Sequence, residues 1–166
     1  KGVLDEELIS SITSLAINSN IPVCADPKKK NFDAYKNMTL FKPNLRELSE
    51  GLDAILSNNE QIIEAAKKLK TKLNIEKVLT TLSDKGVLML TSEIEKILPA
   101  HIRKVFDVSG AGDTVIATAT LALISGADDY LSAFLANLSG GLVCEEKGVV
   151  PVNKNKLLSE ALMYLT

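Results

Sequence analysis

Asp113 follows directly on Ser109-Gly110-Ala111-Gly112 and opens an apolar run. Ile102, Val105 and Phe106 before that turn are strand-like, and Val115, Ile116, Ala119 and Leu123 after it recur at helical spacing. The stretch therefore reads as a strand-to-helix switch. The first N–H groups of a helix have no acceptor within it. Glycine and alanine at such a place let an anion come close, and the helix dipole adds to the attraction. A carboxylate in the first turn, beside that anion, is placed to take a proton from an attacking hydroxyl. The same residues would also make a Ser109-capped helix whose Asp merely stabilises its N-terminus.

A second pair could do related work. Residues 39–42 read as a strand, and Pro43-Asn44-Leu45-Arg46-Glu47 opens a helix after it. Functional groups in open parallel sheets gather at the carboxyl ends of strands, where Asn44 and Glu47 fall. Three apart, they share one face of the first turn, which suits either a ligand or a reciprocal cap.

These elements need a frame. Residues 5–19 read as an amphipathic helix with Leu4, Leu8, Ile9, Ile12, Leu15 and Ala16 on one face. Residues 21–26 form a short apolar strand ending in Asp26-Pro27. A helix runs over 61–73, then strands over 77–82 and 87–91 flank the turn Ser83-Asp84-Lys85-Gly86, with a short edge strand over 94–97. After the glycine turn come two more helices, the second rich in small residues (Ala133, Ala136, Ser139, Gly140, Gly141), and a last amphipathic helix over 152–165. Small residues of that kind permit close approach of a neighbouring helix or a ligand. Helices alternating with buried strands imply a mostly parallel sheet. Without a repeat, linker or low-complexity tract, the chain reads as one compact unit.

Composition narrows the classes. The 166 residues are 46% hydrophobic and 24% charged, with a formal net charge of −2, an ordinary balance for a globular core. Lys28-Lys29-Lys30 is the only basic run, which argues against a nucleic-acid surface and reads as a solvated or phosphate-contacting loop. Nothing approaches the length of a membrane span, and no signal peptide is visible. Cys24 and Cys144, distant and unmatched to any motif, read as buried thiols of a reducing, cytoplasmic compartment. One histidine, His101, in a connector after Pro99, leaves no basis for a His-based zinc site or a Ser-His-Asp triad. Lys1-Gly2, with no Met before it, looks like the start of a chain cut from something longer.

Asp107-Val-Ser-Gly-Ala-Gly-Asp113-Thr resembles the second signature of the ribokinase-like sugar kinases, the phosphofructokinase-B family. The resemblance runs in family order across nearly the whole chain, through Ala25-Asp26-Pro27-Lys28, Lys42-Pro43-Asn44-Leu45-x-Glu47 and Ala136-Asn137. It implies a three-layer α/β/α fold with a mostly parallel central sheet, truncated here on its N-terminal side, so that residues 1–166 form the C-terminal, nucleotide-binding part of a kinase domain. It implies Asp113 as catalytic base, an anion hole from Gly110, Ala111 and Gly112, and Asn44 with Glu47 placing magnesium and phosphate through water. Thr81, Ser83 and Gly86 match the nucleotide-contacting turn, often Thr-x-Gly-x-x-Gly, with Ser83 in the first glycine place. By the same resemblance Asn137 and the Gly148 loop border the adenine of ATP, and Asp107 helps hold a monovalent cation such as potassium in some members. Thr118 departs from the Gly or Ala of many members, more than a turn beyond the hole.

Within the family the quoted segments look most like the heptose 7-phosphate kinases, the first domain of bifunctional ADP-heptose synthases of lipopolysaccharide precursor synthesis. The implied reaction is phosphorylation of the C1 hydroxyl of a phosphosugar. Asp26-Pro27-Lys28 would then bring a point charge near the phosphosugar, or simply form a turn. Another sugar or nucleoside kinase of the family, or a non-catalytic nucleotide-binding module, fits the same residues. Family members begin with roughly as much chain again, so an apolar surface left bare in this fragment would favour association, a homodimer included.

Overall fold

The computed structural model describes residues 3–101 and 103–165; Lys1-Gly2 and Ile102, which entered the reading above, lie outside the described residues. The chain falls into two compact units. One takes the chain up to Ser83 together with Leu88–Lys96, and the other takes Asp84–Val87 and the chain from Ile97 onward. The single unit expected from the absence of a linker is thus two. Their boundaries fall within a hairpin and its strands, where no linker composition marks a crossing.

Five strands form one sheet in the order β1-β2-β3-β4-β5: β1 Cys24–Ala25, β2 Leu40–Phe41, β3 Lys77–Thr81, β4 Val87–Leu90 and β5 Glu95–Leu98. β1 pairs parallel with β2 (Cys24 opposite Leu40) and β2 parallel with β3 (Leu40 opposite Lys77). The connection from β3 to β4 is far shorter than the crossover a parallel pair requires, which makes the third pairing a hairpin. β2 and β4 are buried at every position, as continuous apolar runs covered on both faces should be. Phe41, fully buried, meets Phe32 edge-on with ring centroids 5.4 Å apart.

In the first unit, α1 Glu6–Asn18 is capped by Asp5, whose carboxylate accepts from the Leu8 N–H at 2.8 Å. Only Ile9 and Thr13 of α1 are buried. Ile12 and Leu15, expected to face inward, are exposed, because the apolar stripe is wider than the surface that α1 covers. α2 Leu45–Leu52 follows β2 directly. α3 Asn59–Leu73 turns Ile62, Ala65, Ala66, Leu69 and Leu73 inward. Each buried leucine or isoleucine of that stripe contributes about 2 kcal/mol of transfer free energy.

The second unit is built on α4 Ala111–Ile124 and α5 Asp129–Val143, joined by a short turn, with α6 Lys154–Leu165 after them. Val115, Ala119 and Ala122 form the buried stripe of α4. Gly140 of α5 faces it: a Cβ at that position would lie 2.6 Å from Val115 Cγ2. The small residues of α5 therefore serve close helix packing. Cys24 and Cys144 are half-buried rather than core residues. Among the described residues no helix is long and apolar enough to cross a membrane.

Candidate active site

In the second unit the segment entering the glycine turn is not a strand. Its N–H groups go to the end of α5 instead: Phe106 and Asp107 both donate to the Cys144 carbonyl, at 2.8 and 3.3 Å. A sheet ladder would need those donors, so Val105 and Phe106 stay outside the sheet and exposed. Asp107 then clamps two loops. Oδ1 accepts from the Ser109 N–H at 2.9 Å and Oδ2 from the Gly148 N–H at 3.1 Å. The Ser109 backbone, its hydroxyl and then the Gly148 N–H hold this carboxyl below the usual range. Each oxygen thus has one N–H donor, as a loop clamp requires.

Gly110 is the N-cap of α4 with φ 78°, and no side chain caps the helix. Ser109 is thus not the cap that the sequence also allowed. The left-handed conformation favours glycine, and so does the space, since a Cβ would lie 2.9 Å from Val149 Cγ1. The first helical bond runs from the Thr114 N–H to the Gly110 carbonyl at 3.0 Å. Of the amides before it, that of Ala111 already donates to the Val108 carbonyl at 3.2 Å. Those of Gly112 and Asp113 stand ahead of the ladder, at the positive end of the helix dipole. Asp113 is exposed in that first turn. An uncapped helix start with an accessible carboxylate can hold an anion and receive a proton from a group brought to it.

Asn137 and Gly86 belong to the same unit. Asn137 is 9% exposed, and its side-chain N–H donates to the Pro99 carbonyl at 2.8 Å, so part of its hydrogen-bonding capacity fixes a loop. Gly86 (φ 95°) closes the turn at the foot of β4. Arg103, nearly buried, pairs with Glu145 at 3.2 Å and with Glu160, while Lys156 closes on Glu145 at 2.6 Å. That network ties the approach to Asp107 onto α6 and the end of α5.

In the first unit, Asn44 and Glu47 form a complete capping box: Asn44 Oδ1 accepts from the Glu47 N–H at 2.8 Å, and Glu47 Oε2 from the Asn44 N–H at 2.9 Å. The box fixes one oxygen of Glu47 and leaves Oε1 to Lys28 Nζ at 3.3 Å. Lys28 Nζ also lies 3.6 Å from Asp26 Oδ1, and Asp26 Oδ2 lies 3.3 Å from Lys42 Nζ. Burial pulls the Lys28 pKa down, but the Asp26 and Glu47 carboxylates outweigh it and the pKa is raised. Thr81 ends β3 beside Asn44, its N–H donating to the Pro43 carbonyl at 3.1 Å, and Ser83 follows with φ 59°, a value that glycine adopts more readily. Asp26, Lys42, Asn44 and Thr81 thus sit at the carboxyl ends of β1, β2 and β3. The sequence reading passed over Asp26 and Lys42 as a pair. The signal available was a charged residue just past the end of two neighbouring apolar strands.

Magnesium can be tested against this geometry. Glu47 Oε1 and Asp26 Oδ1 converge on one cationic group, the Lys28 ammonium, and hard carboxylate oxygens are the donors that magnesium takes. Among the described residues no three His, Cys, Asp or Glu side chains gather around one point. The two hard carboxylate oxygens are of the type that a hydrated magnesium ion accepts.

The fold has close counterparts. Phosphofructokinase-2 from Escherichia coli in complex with potassium superposes with a TM-score of 0.87 at 22% identity, covering 98% of this chain and 53% of that one. Arabidopsis thaliana ribokinase complexed with ribose and ATP gives 0.81 at 22%, covering 93% and 52%. The architecture is the ribokinase-like α/β fold. The profile of the pfkB family carbohydrate kinases matches residues 1–156, and the chain belongs to that family. It is 40% identical over 159 residues to the bifunctional protein HldE of Koribacter versatilis, and 38% over 160 residues to that of Methylobacillus flagellatus. Both alignments cover 96% of this chain but 33% of the relative, so the chain spans about a third of their length.

Proposed function

We propose that the chain is the nucleotide-binding and base-bearing part of an ATP-dependent kinase that phosphorylates the C1 hydroxyl of a seven-carbon sugar 7-phosphate, in a cytoplasmic route toward ADP-heptose. The observation that carries the reading is the uncapped start of α4 at Gly110, with Asp113 exposed in its first turn. The similarity to the HldE proteins supports the heptose branch.

In this mechanism the Asp113 carboxylate accepts the proton of the sugar hydroxyl as that oxygen bonds to the γ-phosphorus of ATP and the bond to the β-phosphate oxygen breaks. The Gly112 and Asp113 amides and the α4 dipole stabilise charge on the transferring phosphoryl group, with Gly110 and Ala111 shaping the turn. Asp107 holds that turn to the Gly148 loop. Thr81 and Ser83 of the first unit, and Gly86, Asn137 and Gly148 of the second, are each assigned to nucleotide contact by the family resemblance. Asn44 fixes Glu47, which would hold magnesium through water, and the ion would neutralise phosphate charge. Phosphoryl transfer depends mostly on positioning.

The test is ³¹P NMR with MgATP on the chain within its full-length parent, offering heptose 7-phosphate beside ribose, fructose and fructose 6-phosphate. A new anomeric phosphate on the heptose alone supports the proposal. Turnover of another sugar discards the heptose assignment, and nucleotide binding without any turnover overturns the catalytic one. Asp113→Asn should lower kcat by about 10²- to 10⁴-fold with nucleotide affinity unchanged. A fully active Asn variant would remove Asp113 as the base.

A further inference from the structure

We propose that Lys28 is a displaceable internal counter-ion, whose ammonium occupies the place between Asp26 and Glu47 that a divalent cation takes when it binds. The inference rests on the reading of Glu47 as a metal-side residue. Its ground is the division of labour between the oxygens. Each carboxylate has one anchored oxygen: Asp26 Oδ2 faces Lys42 Nζ at 3.3 Å, and Glu47 Oε2 accepts from the Asn44 N–H at 2.9 Å. Each presents its other oxygen to Lys28, at 3.6 and 3.3 Å.

The partners differ sharply in freedom. The Asp26 and Glu47 side chains are 19% and 12% exposed and Lys42 is 3% exposed, whereas Lys28 is 73% exposed. Lys42 is locked in place and Lys28 is the one cation of the group that can swing away. Its contact with Asp26 is also incomplete, because Asp26 Oδ1 is buried yet receives no hydrogen bond. A buried carboxylate oxygen without a donor is an unusual thing to leave in a folded protein. A hard cation would satisfy it, with Glu47 Oε1 as the second oxygen. An ion pair to so exposed a lysine contributes little and is easily exchanged.

Binding of Mn²⁺ to the purified chain, followed by electron paramagnetic resonance without nucleotide, tests the proposal. Lys28→Met should bind Mn²⁺ more tightly than the wild type, by about two- to fivefold, the range over which a weak surface ion pair can compete. Lys28→Arg, which keeps the charge, should stay near wild type. Glu47→Gln should weaken binding in either background. If Lys28→Met binds no tighter while Glu47→Gln still weakens the wild type, the counter-ion proposal is overturned and the metal reading stands. If neither the wild type nor Lys28→Met binds Mn²⁺, both fall.

Discussion

His101 sits against two aromatic rings, with centroids 4.3 Å from Tyr164 and 5.8 Å from Phe134, and its Nε2 is buried without a hydrogen-bond partner. Burial first, and then the Arg103 guanidinium, push its pKa below the ordinary value of 6.5, with Glu160 pulling the other way. A depressed pKa means that the folded state prefers the neutral ring. The stability so linked is present above pH 6.5 and is lost as pH falls through the folded value. Being the only histidine of the chain, it gives one resolved ring signal in a proton NMR titration, and the midpoint should lie below 6.5. The thermal midpoint should fall between pH 7 and 5.5, and His101→Gln should flatten that fall. A midpoint at or above 6.5 would contradict the packing described. Histidine in a connector after Pro99 was legible from the sequence. Its aromatic neighbours were not, since Phe134 and Tyr164 come from α5 and α6 and only tertiary packing brings them to it.

Among the elements, the contact between α4 and α5 makes the clearest demand on side-chain size. Gly140→Ala would put a methyl 2.6 Å from Cγ2 of Val115, itself 5% exposed, and β-branched valine has little χ1 freedom to retreat. Overpacking of that kind costs about 1–3 kcal/mol, against a helix-propensity gain of about 1 kcal/mol for replacing glycine. Urea unfolding should therefore show a net loss of up to about 2 kcal/mol, and Val115→Ala in the same chain should recover part of it. An alanine variant more stable than the wild type would refute the close contact. The sequence foretold the small residues and the helix starts at Asp5 and Asn44, because caps and periodicity are local chemistry. It foretold a strand before the glycine turn wrongly. Val105 and Phe106 have strand propensity, but the Cys144 carbonyl captures the donors that a ladder would use. At the candidate site the motif residues were legible in the same local way. The Asp107–Gly148, Lys28–Glu47 and Asp26–Lys42 contacts were not, since each joins residues far apart in sequence.

For the whole molecule, the consequential surface is apolar and uncovered. Leu4, Ile12 and Leu15 of the first unit are 53%, 47% and 69% exposed, and Ile12 and Leu15 lie on one side of α1, a turn apart. The second unit carries Leu158, Leu162 and Met163 exposed on α6. Exposed apolar surface of this kind marks places of association. The isolated chain should then sediment with a concentration-dependent coefficient at tens of micromolar, a range that weak apolar contacts reach. Ile12→Glu combined with Leu15→Lys should reduce that dependence. Surface substitutions change stability by no more than about 0.5 kcal/mol each, so the thermal midpoint of the double variant should stay within about 4 °C of wild type. Should the double variant unfold much earlier, α1 would be a core element rather than a face. Should it associate as before, the face responsible would be sought instead on α6, where Leu158→Glu offers the corresponding test.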